Sequence, residues 1–245
     1  MSKLRYFEAM LPILNRAIET QSEVICRVAD VMADTIAAGH LIYVFGATHA
    51  GMIAEEMFYR AGGLVPVVPI FGPGITTNVH PATLTSQMER LTGYAALLLD
   101  ASGITADDLL LVHSVSGRNT VAVEMAEGAR ARGTAVVALT SVTYSKSVTS
   151  RHPKGLRLME VADYVIDNRG VIGDAAVHLD GLPQPTGPTS TVVGAALVNA
   201  LVVETVSRLL DRGLEPPVFI SANLDGGDEK NQRWLDHYRE RLSYL

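Results

Sequence analysis

The residues of this sequence best suited to chemistry lie in a short loop, Ser114–Thr120, which reads Ser-Val-Ser-Gly-Arg-Asn-Thr. The loop precedes a predicted helix, whose first amides are unpaired and whose dipole favours an anion. Gly117 lets the backbone turn tightly toward a ligand. The side-chain donors of the loop are Ser114, Ser116, Arg118, Asn119 and Thr120. The pattern predicts a phosphate-binding loop.

This loop differs from two familiar phosphate motifs. It lacks the Gly-Lys-Ser/Thr ending of the nucleotide P-loop and the three-glycine pattern of dinucleotide-binding folds. A plain helix N-cap is the simpler alternative, because Ser, Asn and Thr cap many helices. One hydroxyl would suffice for a cap, whereas this loop offers several short polar side chains. The composition therefore favours anion binding.

Other loops are predicted to surround the same ligand. Gly46–Gly51 is a second junction of strand, glycine and helix, in which Thr48 offers a hydroxyl and His49 is a candidate base or ring-opening acid. An exposed helix-start histidine is the alternative for His49. Ser141 follows the fourth predicted strand and offers another hydroxyl. The hydroxyl-rich helix start at Thr189 and Ser190 is predicted to form a wall of the pocket. Helix capping alone would explain part of this pattern.

The elements that position these loops alternate between strand and helix. Apolar runs predict strands at 41–45, 64–69, 109–113, 134–139 and 164–167, and periodicity predicts helices at 50–61, 84–100, 120–132, 189–210 and 229–242. This alternation is typical of an α/β fold with a five-stranded parallel sheet and helices on both faces. Ligands of such sheets bind outside the carboxyl ends of the strands, where the polar loops lie.

Three parts are predicted along the chain. Residues 1–40 form a long N-terminal helix, broken near Pro12, that packs on the domain or on a partner subunit. Residues 41–212 form the binding domain, in which Pro66 and Pro69 favour an edge position for the second strand. Residues 213–245 form a polar loop and a last helix.

Composition excludes several classes of protein. The formal charge of −6, from 20 basic and 26 acidic residues, argues against nucleic-acid binding. The apolar runs are too short to span a bilayer, no signal peptide is visible, and the single cysteine, Cys26, permits no internal disulfide. These features predict a cytoplasmic protein that contacts no membrane. No metal-ligand spacing stands out, and we expect no cofactor.

Three stretches carry a resemblance to a known family. Gly46–Gly51, Ser114–Asn119 and Ala138–Ser141 resemble the corresponding loops of the SIS (sugar isomerase) domain. Within that superfamily, the stretches Leu84–Arg90, Ser150–Pro153 and Pro217–Asp228 look closest to the stand-alone UPF0309 group of phosphosugar-binding proteins. The resemblance implies a three-layer α/β/α sandwich, the SIS fold, that binds a phosphorylated sugar as a homodimer or homotetramer.

The resemblance also implies roles for single residues. Ser114, Ser116 and Asn119 match phosphate-binding positions, and Thr48 matches a phosphate or sugar contact. Asn119 departs from the usual Thr or Ser, and Thr120 is a possible substitute. In the first loop, Ala47 and His49 replace the commoner Gly and Ser.

Carboxylates are the candidate bases for sugar isomerisation. Similar enzymes place a catalytic glutamate on the helix after the first loop, where this chain has Glu55 and Glu56, and Glu56 is preferred because it shares a face with Met52. Glu89 matches a second glutamate of the etherase relatives. Exposed helical glutamates are the alternative for all three. Weaker candidates are His80, His178 and Glu204.

The phosphate-binding loop and the resemblance to the SIS family together predict a cofactor-independent aldose–ketose isomerase acting on a sugar phosphate. Two alternatives stay open: a non-enzymatic sugar-phosphate sensor, and an etherase-type lyase acting on an amino-sugar phosphate.

Overall fold

The computed structural model describes residues 4–242 and 244. Its helices are α1 (Arg5–Ala37), α2 (Met52–Met57), α3 (Thr85–Met88), α4 (Tyr94–Ser102), α5 (Thr120–Ala131), α6 (Val142–Ser147), α7 (Leu158–Val161), α8 (Ser190–Asp211) and α9 (Gly227–Tyr238). Its strands are β1 (Ile42–Gly46), β2 (Val67–Pro69), β3 (Leu109–His113), β4 (Ala135–Thr140), β5 (Tyr164–Asp167), β6 (Ala175–Val177) and β7 (Thr186–Pro188). Short 3₁₀ turns cover Thr48–Gly51 and Ala82–Leu84.

The main sheet has five parallel strands in the order β2-β1-β3-β4-β5. This confirms the predicted α/β fold with its five-stranded parallel sheet. β2 lies at an edge, where prolines cost no ladder hydrogen bond on the outer side. Gly46 is in register with His113, and His113 is in register with Leu139. The loops that follow β1, β3 and β4 therefore leave the sheet side by side.

Alternate strand residues face two separate cores. Tyr43, Phe45, Leu110 and Val112 pack against α4, α5 and the C-terminal part of the chain. Their neighbours along the strands, among them Ile42, Val44, Leu109 and Leu111, pack against α1, α2 and α8. Because successive strand side chains point to opposite faces, a sheet that is apolar on both faces requires a helical layer on each. The result is the expected three-layer sandwich.

The N-terminal helix is continuous, and the predicted break at Pro12 is wrong. Pro12 lies on an exposed position inside α1 and removes one helical hydrogen bond at its exposed side. The long apolar face of α1 offsets that loss by packing on α8, and Arg212 pairs with Asp34 across the two helices at 2.7 Å. Gly39, with φ at +82°, supplies the predicted end of the helical segment.

Among the described residues, α8 is the one helix whose length and apolar composition would allow it to cross a membrane. Its apolar side is packed in the core together with α1 and the sheet. Helix α8 is therefore packed as a core helix of the domain.

Three further segments differ from the prediction. The predicted helix 84–100 is interrupted, because Gly93 adopts φ +83° and donates its amide to Glu124 at 2.8 Å, so that α4 starts afresh. The predicted helix 50–61 is a 3₁₀ turn followed by the short α2. The predicted loop segments also contain regular structure that local patterns did not indicate, namely α6, α7 and the antiparallel pair of β6 and β7.

Candidate functional site

The serine loop, Ser114–Asn119, connects β3 to α5 at the carboxyl edge of the sheet. Its backbone is fixed from both sides, because the Ser114 amide donates to Leu139 at 3.1 Å and the Val115 carbonyl accepts from the Ser141 amide at 2.9 Å. A turn follows in which the Gly117 amide donates to the Ser114 carbonyl at 3.2 Å. The loop is thus a rigid extension of the central strands.

Gly117 is required by this turn. Its φ is +58°, and a Cβ atom there would lie 3.2 Å from the hydroxyl oxygens of both Thr140 and Ser145. The left-handed backbone and the close approach of β4 and α6 both make a side chain costly here. The single glycine of the loop therefore lets the chain pass tightly over the end of β4.

The first turn of α5 keeps hydrogen-bonding capacity. Asn119 is the N-cap residue, yet its side chain caps no helix amide. The Val121 amide donates to the backbone carbonyl of Glu89, and the Val123 amide donates to the backbone carbonyl of Asn119. Among the described residues, the amides of Ser116, Asn119 and Thr120 donate to no backbone carbonyl. These amides remain available to an anion at the helix start.

Hydroxyl groups at this edge fall into two sets. Hydrogen bonds between described residues use the hydroxyls of Thr120, which donates to the Arg151 carbonyl at 3.0 Å, and of Ser141, which donates to the Gly170 carbonyl at 2.6 Å. The hydroxyls of Ser114 and Ser116 take part in no hydrogen bond between described residues. The structure therefore leaves the two serines available and engages Thr120 and Ser141 in the fold itself.

The α8 helix start is likewise engaged. The Ser190 hydroxyl and amide both donate to the Asp174 carboxylate, at 2.6 and 2.8 Å, and the Thr189 amide donates to it at 3.1 Å. Both residues are buried. Asp174 thus caps α8 from the β6 side, a role that sequence reasoning did not assign to it.

The first loop folds back tightly on its own strand. A Cβ atom on Gly46 would lie 2.3 Å from the Ala50 carbonyl oxygen, so only glycine fits at the end of β1. Thr48 has φ +56°, a conformation that is costly for a β-branched residue, and its amide donates to the Ile75 carbonyl at 2.7 Å. Such strain is concentrated at functional sites in proteins. The next residue, His49, is exposed.

His113 links the two loops and was missed by sequence reasoning. Its ring Nδ1 lies 3.0 Å from the Ala50 carbonyl oxygen and its Nε2 is buried with no partner among the described residues. Burial lowers the pKa of this imidazole to about 4, although the Ala50 bond and the charge of Asp174 act in the opposite direction. The signal in the sequence is one polar residue that ends the otherwise apolar run Leu109–Val112.

Glu89 stands beside the serine loop. Its carbonyl accepts from the Val121 amide at 3.1 Å, which fixes the end of α3 against the start of α5. Burial raises the pKa of the Glu89 carboxyl, and its hydrogen bond with Asn119 and the nearby charges of Arg90 and Arg151 act against that shift. A carboxyl with a raised pKa at the carboxyl edge of the sheet is a candidate general base.

Glu55 and Glu56 have different surroundings. Glu56 pairs with Arg60 and accepts from the Asn199 amide on α8 at 2.7 Å, so its carboxylate is neutralised within the fold. Glu55 lines an open cleft of about 510 Å³ formed with the loop that follows β2. The placement favours Glu55 over the sequence-based preference for Glu56.

The remaining candidates lie apart from the serine loop or are paired. His80 and His178 are exposed. Glu204 pairs with Arg208 on the same helix at 2.8 Å. Arg118, within the serine loop, donates to the Thr149 hydroxyl at 3.1 Å. Among residues 4–242 and 244, no group of three His, Cys, Asp or Glu side chains could hold a metal ion.

Known proteins resemble this chain in sequence along nearly its whole length. Residues 5–141 match the family described as SIS domain. A UPF0309 protein of Shouchella clausii is 46% identical over 241 residues, which cover 98% of each chain. A UPF0309 protein of Oceanobacillus iheyensis is 45% identical over 240 residues, again 98% of each chain.

Solved structures share the fold at low sequence identity. A phosphoheptose isomerase from Francisella tularensis aligns with a TM-score of 0.55 and 19% identity, over 82% of this chain and 94% of the other. The Vibrio vulnificus NanR protein complexed with ManNAc-6P aligns with a TM-score of 0.52 and 16% identity, over 97% of this chain and 69% of the other. The family match and the near full-length relatives together show that the chain belongs to the SIS-domain family and, within it, to the UPF0309 group.

Proposed function

We propose that this protein binds a phosphorylated sugar, with the phosphate held by the serine loop and the first turn of α5. The uncapped start of α5 is the observation that carries the proposal. A helix whose only need was a cap would use the Asn119 or Ser116 side chain for that purpose. Here the free amides and the hydroxyls of Ser114 and Ser116 belong to one loop and the helix start that follows it, where phosphate oxygens would accept them.

The proposed reaction is aldose–ketose isomerisation without a cofactor. A base takes the proton from the carbon next to the carbonyl, the electron pair forms the C=C bond of an enediol, and the carbonyl oxygen gains a proton. The hydroxyl on the first carbon then loses a proton as the new C=O bond forms, and the base returns its proton to the former carbonyl carbon, so atoms and charge balance. Glu89 is the first candidate base, because its pKa is raised and it borders the phosphate site. Glu55 is the second, and His49 is a candidate for ring opening.

Relatives support the class of ligand. The structural neighbours include phosphoheptose isomerases and a protein complexed with ManNAc-6P. We extend the proposal to a cytoplasmic homodimer or homotetramer, on the resemblance to the SIS family. Light scattering of the purified protein tests the oligomer, and a monomeric mass would contradict that part.

Deuterium exchange tests the reaction. The protein is incubated in D₂O with a panel of hexose, heptose and amino-sugar phosphates, and the sugars are examined by mass spectrometry and NMR. At least one is expected to gain deuterium at C1 or C2. Ser116→Ala should weaken the apparent affinity, and Ser207→Ala, at an exposed position of α8, is the matched control.

Each outcome of this experiment has a definite meaning. Binding without exchange would overturn the isomerase and favour the sensor. Release of lactate from a muramic acid phosphate would favour the lyase. If no sugar phosphate in the panel stabilises the protein against heat, sugar-phosphate binding itself is contradicted.

A further inference from the structure

Three arginines from separate segments meet at the start of α5. Arg118 lies in the serine loop, Arg90 follows Glu89 at the end of α3, and Arg151 precedes α7. The Arg151 guanidinium donates to the Asn119 side chain at 2.7 Å, and its amide donates to the Arg118 carbonyl at 2.9 Å. Burial together with the charges of Arg118 and Arg90 lowers the pKa of Arg151, as expected for like charges in proximity.

These arginines differ from most others in the chain. Most arginines elsewhere pair with a carboxylate, for example Arg212 with Asp34 and Arg241 with Asp108, although Arg5 and Arg16 on α1 pair with none of the described carboxylates. Among the described residues, Arg90, Arg118 and Arg151 form no such pair within 4.0 Å. In addition, the Nε of Arg118 is buried without a hydrogen-bond partner. Positive charge is therefore concentrated here, and the carboxylate of Glu89 offsets only part of it.

The donors at this point exceed the needs of one phosphate group. A phosphate monoester presents three strong acceptor oxygens, and in the proposed site the amides and serine hydroxyls of the loop already donate to them. Each guanidinium adds N–H donors in a rigid planar fork, suited to bidentate binding of a second planar or tetrahedral anion. One sugar monophosphate would leave much of this capacity unused.

We propose, building on the sugar-phosphate site above, that the natural ligand carries a second anionic group, a carboxylate or a second phosphate, which Arg90, Arg118 and Arg151 bind. The protein then selects doubly anionic sugars over simple sugar monophosphates. Asn119 holds Arg151 in position and joins the two subsites.

Titration calorimetry with three probes tests this selection. Glucose 6-phosphate carries one anionic group, 6-phosphogluconate adds a carboxylate, and glucose 1,6-bisphosphate adds a phosphate. At least one doubly anionic probe is expected to bind about tenfold or more tightly than the monophosphate at 150 mM salt, which corresponds to one charge-assisted pair. The doubly anionic probe that binds more tightly identifies the second anionic group as a carboxylate or a phosphate.

Variants separate the second subsite from the serine loop. The double change Arg90→Gln and Arg151→Gln affects exposed side chains, so the fold should tolerate it. It should reduce the preference to within about threefold, because it weakens the doubly anionic probe more than the monophosphate. Arg27→Gln, which removes an exposed ion pair on α1 at 3.1 Å, is the control and should retain the full preference.

Failure of this inference is distinguishable from failure of the proposed function. Equal binding of singly and doubly anionic probes would overturn the second subsite and leave the sugar-phosphate site intact. A preference that persists in the double variant would show that Arg90 and Arg151 do not bind the second anionic group, which also overturns the subsite. Absence of binding by all three probes at millimolar concentration in wild type, together with no thermal stabilisation by any sugar phosphate of the panel above, would contradict both.

Discussion

Lowering the pH from 7 to 5 should weaken this fold through one buried side chain, His113. The ordinary pKa of histidine is 6.5, whereas burial beneath the first loop holds that of His113 at about 4. Between these values the unfolded chain binds a proton and the folded chain does not. The contribution of this residue to stability is therefore fully present above pH 6.5 and is lost as the pH falls toward 4.

The size of the effect follows from the two pKa values. At pH 7 neither state is substantially protonated at this residue. At pH 5 the unfolded state is almost fully protonated and the folded state hardly at all, so the free energy of unfolding falls by about 2 kcal/mol between pH 7 and pH 5. This is a large share of the stability of a typical domain.

Urea unfolding of wild type and His113→Asn at both pH values isolates this contribution. Asparagine places an amide donor near the position of Nδ1, where it can still reach the Ala50 carbonyl, and it does not titrate. The variant should lose about 2 kcal/mol less than wild type between pH 7 and 5. Other histidines, present in both proteins, cancel in this comparison. Equal pH dependence of the two proteins would refute the assignment.

Three further changes test the structure elsewhere. Because its carboxyl has a raised pKa, Glu89→Gln should raise stability relative to wild type more at pH 7 than at pH 4, by urea unfolding, and should abolish deuterium exchange; an unchanged exchange rate would exclude Glu89 as the base. Asp108→Ala should cost about 1–3 kcal/mol, because it leaves the buried Leu41 amide without an acceptor and removes the partner of the partly exposed Arg241, whereas Asp100→Ala removes an exposed ion pair and should cost less than about 1 kcal/mol by the same assay. Gly117→Ala should weaken sugar-phosphate binding in calorimetry and lower Tm more than Gly155→Ala, which has a similar positive φ but open space around its Cβ; equal losses would place the whole cost in backbone strain.

The sheet and its polar edge could be predicted because their signals are local. Five apolar runs separated by helical segments indicate a parallel sheet, and the glycines at Gly46 and Gly117 mark where the chain must turn closely over a neighbouring strand. Hydroxyl residues after β1, β3 and β4 then fall on one edge by topology alone. These features require no knowledge of which side chains meet.

The partners of individual groups could not be predicted. Ser141 reads as a ligand donor, but its hydroxyl satisfies the Gly170 carbonyl, which lies 29 positions later. Thr189 and Ser190 read as a pocket wall, but both bind Asp174 from the β6 segment. A donor near a binding edge serves the fold or the ligand according to long-range contacts that local sequence patterns do not encode.

The convergence of the three arginines likewise depends on long-range contacts that local sequence patterns do not encode. Arg90, Arg118 and Arg151 are separated by about thirty residues at each step and come from a helix end and two loops. They meet because Glu89 and the Arg151 segment both dock on the first turn of α5. Only the folded arrangement shows that this positive charge has no carboxylate partner among the described residues.

Amide NMR during a sugar-phosphate titration tests the central claim most directly. With ¹⁵N-labelled protein, addition of a phosphorylated sugar that stabilises the fold should shift the amide protons of Ser116, Asn119 and Thr120 downfield, because each would donate to a phosphate oxygen. The unphosphorylated sugar should leave them in place. Saturable binding that leaves these three amides unchanged, while shifting others, would contradict the serine loop as the phosphate site.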